Sequence, residues 1–149
     1  MKIAIETRVE QGYLDVKAGF DESLFLRLNP PFPPVKLLRF DGCEKGDVVS
    51  LELDFLAFRQ KWTSVITDSL TTELEFSFVD EGEELPFFLK KWKHRHRVIS
   101  LGIGSKIRDE IEFHSPFVLL DYLLLPVLWL QFAYRKPVYQ KVFRRAAGR

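Results

Sequence analysis

The chain contains one cysteine, Cys43, among 149 residues, which excludes an internal disulfide framework. Cys43 stands in a turn-rich stretch without a companion base, so a catalytic thiol is not expected. No phosphate-cradling glycine loop, dinucleotide fingerprint or Gly-x-Ser-x-Gly elbow occurs, which removes the chemistries those motifs carry. Internal repeats and low-complexity tracts are missing too. No cationic-then-apolar leader precedes the first strand, and a cytoplasmic protein is the simplest expectation. The longest apolar run, 117–130, is interrupted by Asp121 and Pro126 and falls short of the ~20 residues that span a bilayer.

Apolar residues make up 46% of the chain and aromatics 14%, with 14 Phe, enough for a sizeable core in one domain covering residues 1–149. The net charge of +1 conceals an uneven distribution. Residues 1–89 hold 9 Lys/Arg against 17 Asp/Glu, and residues 90–149 hold 13 against 4. Such asymmetry suits a nucleic-acid or membrane surface, or basic and acidic strands side by side in one sheet. Residues 90–108 favour the second reading, because acidic strands are available as neighbours and the basic strand lacks the outward aromatics that stack bases. Nucleic acid is therefore not an expected partner.

Periodicity orders the elements. "KIAIETRVE" alternates as a half-buried strand, and "GYLDVKAGF" spaces Tyr13, Val16 and Phe20 as a helix. Asp21 is the expected cap of a second short helix with Leu24, Phe25 and Leu28 inward, and "PPFPP" at 30–34 stops it. From Val35 to His114 six stretches show period-two character, separated by turn signals, as an antiparallel meander. "SPFVLLDYLLLPVLWLQFAYRKPVYQKVFRR" then predicts a helix of about 30 residues, ~45 Å long, with Ser115 as cap and Pro116 in the first turn.

The stretch "KKWKHRHRVIS" at 90–100 carries Lys91, Lys93, Arg95 and Arg97 on one face and Trp92, His94, His96 and Val98 on the other. With the cations in solvent, two histidines point inward. If "LGIG" turns the next hairpin, Ser100 faces Ser105, His96 faces Asp109 and Trp92 faces Phe113. An isolated buried carboxylate is costly, and an adjacent imidazole compensates it. The pair either fixes strand register or forms the floor of a site. His114 has outward parity and reads as a surface residue.

A strand, two helices, a six-stranded meander and a long C-terminal helix resemble the helix-grip arrangement of the SRPBCC superfamily, which includes START lipid-transfer domains, birch-pollen-type allergens and polyketide cyclase/dehydrase-like proteins. "LPFFLKKWKHRHRV" followed by "IRDEIEFHSP", together with "NPPFPP" and "FDG", is similar to a bacterial ligand-binding subgroup, with Leu85 where that subgroup has glycine. The resemblance implies an α+β helix-grip fold: about seven antiparallel strands curved around the long helix, with a cavity between them.

In that cavity the expected ligand-binding residues are Trp62, Ser64, Phe76, Phe78, Trp92, His94, His96, Asp109, Ile111 and Phe113 from the sheet. Leu119, Leu123 and Leu130 are expected from the helix, on the face opposite Asp121. A mostly apolar hollow with a few convergent polar groups suits a hydrophobic or amphipathic small molecule. The alternative is an enzyme using His94, His96 and Asp109 as acid–base groups on a carbonyl-bearing substrate. Two histidines and an aspartate superficially suggest a metal site, but alternate strand residues stand ~6.5–7 Å apart at Cα, so neither a metal nor a cofactor is expected. Leu125, Leu128 and Phe132 fall on Asp121's side, followed by Arg135, Lys136, Lys141, Arg144, Arg145 and Arg149. Loops covering this face, a homodimer, and a transient contact with an anionic membrane are the readings it leaves, in that order.

Overall fold

The computed structural model describes residues 1–146. The chain runs β1 (Lys2–Val9), α1 (Tyr13–Ala18), α2 (Glu22–Leu28), β2 (Val35–Phe40), β3 (Val48–Asp54), β4 (Arg59–Thr71), β5 (Glu75–Glu84), β6 (Lys91–Ser100), β7 (Ser105–His114), α3 (Val118–Ala133) and α4 (Arg135–Val142). All seven strands join one antiparallel sheet in the order β1-β7-β6-β5-β4-β3-β2. The two short helices carry the chain from one edge strand to the other. Asp21 caps α2 by accepting the Leu24 N–H at 2.9 Å, as the spacing predicts.

Register follows from alternation and tight turns. The β6–β7 hairpin closes with Ser100 facing Ser105, and His96 therefore faces Asp109. Gly104 makes that turn possible. Its φ is +74°, and a Cβ there would lie 2.5 Å from the Val9 carbonyl oxygen on β1. The outward faces pair basic with acidic strands: Lys91 with Glu112 at 2.6 Å, Arg97 with Glu75 at 2.6 Å and with Glu110 at 3.4 Å. The charge asymmetry of the sequence is thus absorbed within the sheet around β6. Two register shifts interrupt the β4–β5 ladder, at Thr63/Ser64 and Ile66/Asp68, the irregularities that bend a strand.

The C-terminal helix differs from expectation in start, continuity and phase. It begins at Val118 after Phe117, and Ser115 instead folds its hydroxyl onto the Phe117 carbonyl. A break at Tyr134 separates α3 from α4, where Pro137 supplies no N–H for the Ala133 carbonyl. Leu119, Leu123 and Leu130 face outward, 73%, 62% and 62% exposed, while Leu128 and Phe132 are buried. Asp121 does not mark a solvent face. It is buried because it accepts the Ser115 N–H and lies 3.5 Å from His114 Nδ1, tying the end of β7 to the first turn of α3. Those hydrogen bonds, Ser115's first, hold its carboxyl below the usual range. Residues Val118–Val142 are long and apolar enough by length and composition to cross a membrane, with a mean hydropathy of 1.3. Here one stripe of that segment packs on the sheet.

The core has two lobes. Ile3, Ile5, Trp92, Ile111 and Phe113 pack under Leu128 and Phe132 of α3. Val16, Leu24, Leu28, Phe76, Phe78 and Val98 pack with Tyr139 and Phe143 at the other end. At roughly 25 cal/mol per Å2, each fully buried side chain of this kind contributes about 1.5–3 kcal/mol. The space between the lobes is not filled.

Candidate functional site

A cavity of about 560 Å3 lies between the sheet, α2 and the C-terminal helices. Inward positions of β3, β4, β5 and β6 make its wall: Leu51, Leu53, Trp62, Ser64, Ile66, Phe78, Trp92, His94 and His96. From the helix side come Leu120, Leu124, Val127, Leu128, Phe132, Arg135 and Tyr139. Phe32 and Phe87 line it while 56% and 64% exposed, so they stand at its mouth. Phe55, Phe58 and Phe88 continue that rim, with successive ring centroids 5.2–6.5 Å apart.

The polar part of the wall is a chain of hydrogen bonds running across three strands. Trp92 Nε1 donates to Asp80 Oδ1 at 3.0 Å, and His94 Nδ1 lies 2.9 Å from Asp80 Oδ2. His94 Nε2 and His96 Nδ1 both lie 2.8 Å from Asp109 Oδ1. Strand pairing explains the convergence, because His94 faces Asp80 across β5–β6 and His96 faces Asp109 across β6–β7. An ionised carboxylate only accepts, so each ring nitrogen beside one donates. His94, with a carboxylate at each nitrogen, is an imidazolium. Burial opposes that charge, but Asp80's charge and the hydrogen bonds to Asp109 and Asp80 outweigh it and raise its pKa to about 9. Asp109 is likewise held below the carboxylate range against burial, by His96's proximity and the hydrogen bonds from both rings.

His96 has the opposite fate. Burial drives its pKa down despite Asp109, and the charges of His94 and Arg135 push the same way. Its Nδ1 lies against Asp109. Its Nε2 has no hydrogen-bond partner, and the only other buried side-chain polar atom so left among the described residues is the Tyr139 hydroxyl. Burial pushes the Tyr139 phenol above its ordinary range, helped by Asp109's charge and only partly offset by Arg135. Phe20 and Phe78 both pack on the His96 ring, at centroid distances of 4.5 and 5.0 Å, and lie 6.3 Å from each other. Both side chains line the hollow, with these two polar atoms themselves buried.

The donor atoms of His94, His96 and Asp109 lie within 4.8 Å of one another, the one such group among the described residues that could hold a metal ion. The Cα spacing along β6 did not keep the rings apart, because Asp109 draws both toward itself. At 2.8 Å the contacts are those of N–H···O hydrogen bonds, and Asp80 engages the other nitrogen of His94.

Solved structures similar to this chain share its whole architecture. Aromatase/cyclase from Streptomyces sp. R1128 is 15% identical with a TM-score of 0.66, covering 100% of this chain and 99% of that one. Protein CV1439 from Chromobacterium violaceum is 13% identical at a TM-score of 0.71, covering 98% and 99%. Truncated norcoclaurine synthase from Thalictrum flavum is 14% identical at 0.62, covering 93% and 92%. No family model matches the chain, and no curated protein matches it. The fold is the helix-grip fold that these structures share.

Within this helix-grip frame the expected residues divide. Trp62, Ser64, Phe78, Trp92, His94 and His96 lie on the cavity wall. Asp109 sits behind the two histidines, 2% exposed. Phe76, Ile111 and Phe113 are buried in the two core lobes and do not reach the hollow, because the neighbouring strands and helices close over them. Leu119, Leu123 and Leu130 are on the far side of α3, and Leu120, Leu124 and Leu128 take their place. Sequence reasoning missed Asp80, Arg135 and Tyr139. Asp80 was available by carrying the Phe76–Phe78 alternation one step further.

Proposed function

We infer that this protein binds a hydrophobic or amphipathic small molecule in the cavity between the sheet and the C-terminal helices, as a carrier or sensor. The observation that carries the reading is the hollow itself: about 560 Å3, walled mainly by apolar and aromatic side chains, with a few polar ones among them, Ser64, Asp80, His94 and Arg135. Volumes of this size suit drug-sized ligands, and a few placed polar groups among apolar walls fix orientation.

Catalysis is the second reading, and one feature favours it. Asp109 hydrogen-bonds Nδ1 of His96, a residue on the cavity wall, and such a His–Asp pair is a common acid–base element. Solved neighbours of this fold include a synthase and an aromatase/cyclase. At such low identity they inform the fold and not the reaction. Native mass spectrometry after gentle purification, followed by extraction, separates the readings. A retained molecule released unchanged supports binding. Conversion of that molecule by the wild type but not by His96→Ala would move the assignment to an enzyme.

A further inference from the structure

Two opposite sides of α3 are apolar, and the sheet takes only one of them. Leu124, Leu128 and Phe132 pack inward. On the other side Phe117, Leu119, Tyr122, Leu123, Trp129 and Leu130 are each at least half exposed. The one charged side chain between Val118 and Ala133 is Asp121, which is buried, so this outer face carries no charge. With Val118 and Pro126 among them, these side chains present roughly 1,000 Å2 to solvent, against the 300–600 Å2 of the largest patch on a typical monomer. A partner in a stable complex contributes about 800 Å2. The order within the face is specific as well. Leu119, Leu123, Pro126 and Leu130 stand at i, i+4, i+7 and i+11, the heptad spacing of a row that lies along a second helix. A shallow groove lined by Ile3 and Ala4 of the edge strand β1 and by Leu125 and Trp129 continues the strip sideways.

We propose that a second copy of this chain covers the outer face of α3, the two α3 helices packing antiparallel about a two-fold axis. Charge sets the direction. Lys136, Lys141, Arg144 and Arg145 are exposed just beyond the C-terminal end of α3. Parallel helices would bring two such clusters together, and antiparallel helices hold them at opposite ends of the seam. An anionic bilayer fits the face less well. A helix lying in a lipid interface carries Lys and Arg on its polar side, flanking the apolar one, and residues 118–133 contain neither. The interface is separate from the cavity, since Leu119, Leu123 and Leu130 line no part of the hollow.

Sedimentation equilibrium of the full-length protein tests the proposal. At ~10 µM the wild type should have the mass of two chains, since interfaces of this area hold at micromolar dissociation constants or tighter. Leu123→Glu sets a charge into the middle of the seam and should raise the dissociation constant at least ~100-fold, with the far-UV circular dichroism of the wild type retained. Direction is tested by mixing. Antiparallel seams set Leu119 against Leu130 of the second copy, so Leu119→Glu and Leu130→Lys should each be monomeric alone and form a mixed dimer together. A wild type still monomeric at ~100 µM would overturn the proposal. Flotation of that monomer with phosphatidylcholine–phosphatidylserine vesicles, lost in Leu123→Glu, would assign the face to lipid instead. A dimer indifferent to Leu123→Glu would place the interface elsewhere and overturn it too. Variants that dissociate alone and fail to pair when mixed would overturn the antiparallel arrangement.

Discussion

Removing the Asp109 carboxylate should cost more than any other single polar deletion in the sheet. The residue is 2% exposed and its Oδ1 receives hydrogen bonds from two buried imidazoles. In Asp109→Ala, His96 Nδ1 has no acceptor, and His94 keeps only Asp80 to balance a buried charge. Breaking a buried ion pair from one side typically costs about 3–5 kcal/mol, because the remaining partner stays desolvated. His94 can shed its proton to limit the loss, which places the expectation near the lower end, about 3 kcal/mol. For a chain of this length that is a fall in midpoint of about 6–12 °C. Asp109→Asn keeps the shape and one carbonyl acceptor, and should cost roughly half as much.

Urea unfolding followed by tryptophan emission, with wild type and both variants at several pH values, measures the effect and its origin together. His94 has a folded-state pKa of about 9, above the ordinary value of 6.5. Its contribution is therefore fully present below pH ~6.5 and lost as the pH rises through about 9. His96 and Asp109 both have lowered values. Their contributions are lost on the acid side, from pH ~6.5 downward for His96 and from ~4 downward for Asp109. Stability should peak near pH 6.5 in the wild type. In Asp109→Asn, His94 loses one of its two anions, so the alkaline decline should begin at lower pH. An Asp109→Ala variant within about 0.5 kcal/mol of wild type, with an unchanged alkaline limb, would refute the account of this network.

Three further outcomes follow from placement. Leu124 lines the cavity and Leu123 is outward, so Leu124→Trp should weaken Nile red binding several-fold while Leu123→Trp leaves it unchanged, measured by fluorescence titration. The Cys43 thiol is pushed up to about 12, by burial first and then by the charges of Asp47, Asp80 and Glu44. It should react with a thiol-exchange reagent at pH 8 at least ~10-fold more slowly than in the urea-unfolded chain, a comparison that absorbance follows directly. Asp121→Ala removes the acceptor of the Ser115 N–H at the β7–α3 corner and should cost about 1–3 kcal/mol by urea unfolding.

The strands were legible because each has one buried face and one wet face, so alternation and register are the same information. Ser100 opposite Ser105 set every pair in the last hairpin, including His96 with Asp109. Alternation carries no information about where a strand ends, however. Leu74 shares the parity of Phe76 and Phe78, but it lies in the turn before Glu75 and is 70% exposed. The helix failed for a different reason. Apolar residues surround α3, so its wheel has no wet side, and the lone Asp121 was taken as the marker of one. A buried carboxylate satisfied by a backbone N–H leaves the same mark in the sequence as a solvated one. Leu128, Phe132, Arg135 and Tyr139 form one i, i+4, i+7, i+11 stripe, and choosing it required knowing what Asp121 touches.

The network across β5, β6 and β7 is more than register needs. Alternation and the Gly104 turn already specify the pairing, and hydrophobic residues at Asp80, His94, His96 and Asp109 would remove the desolvation cost of three charges. A single histidine–aspartate pair would satisfy itself, as His94 and Asp80 do at 2.9 Å. What the full chain adds is Asp109 behind His96, with His94 holding Asp109 ionised. That combination sets His96 Nδ1 against Asp109 and leaves Nε2 buried without a partner. A simple structural pair would leave its outer nitrogen capped by a neighbour or by solvent. Here Phe20 and Phe78 flank the ring and supply no donor. The three charges thus converge beside the ring of His96, an expense that strand register alone does not require.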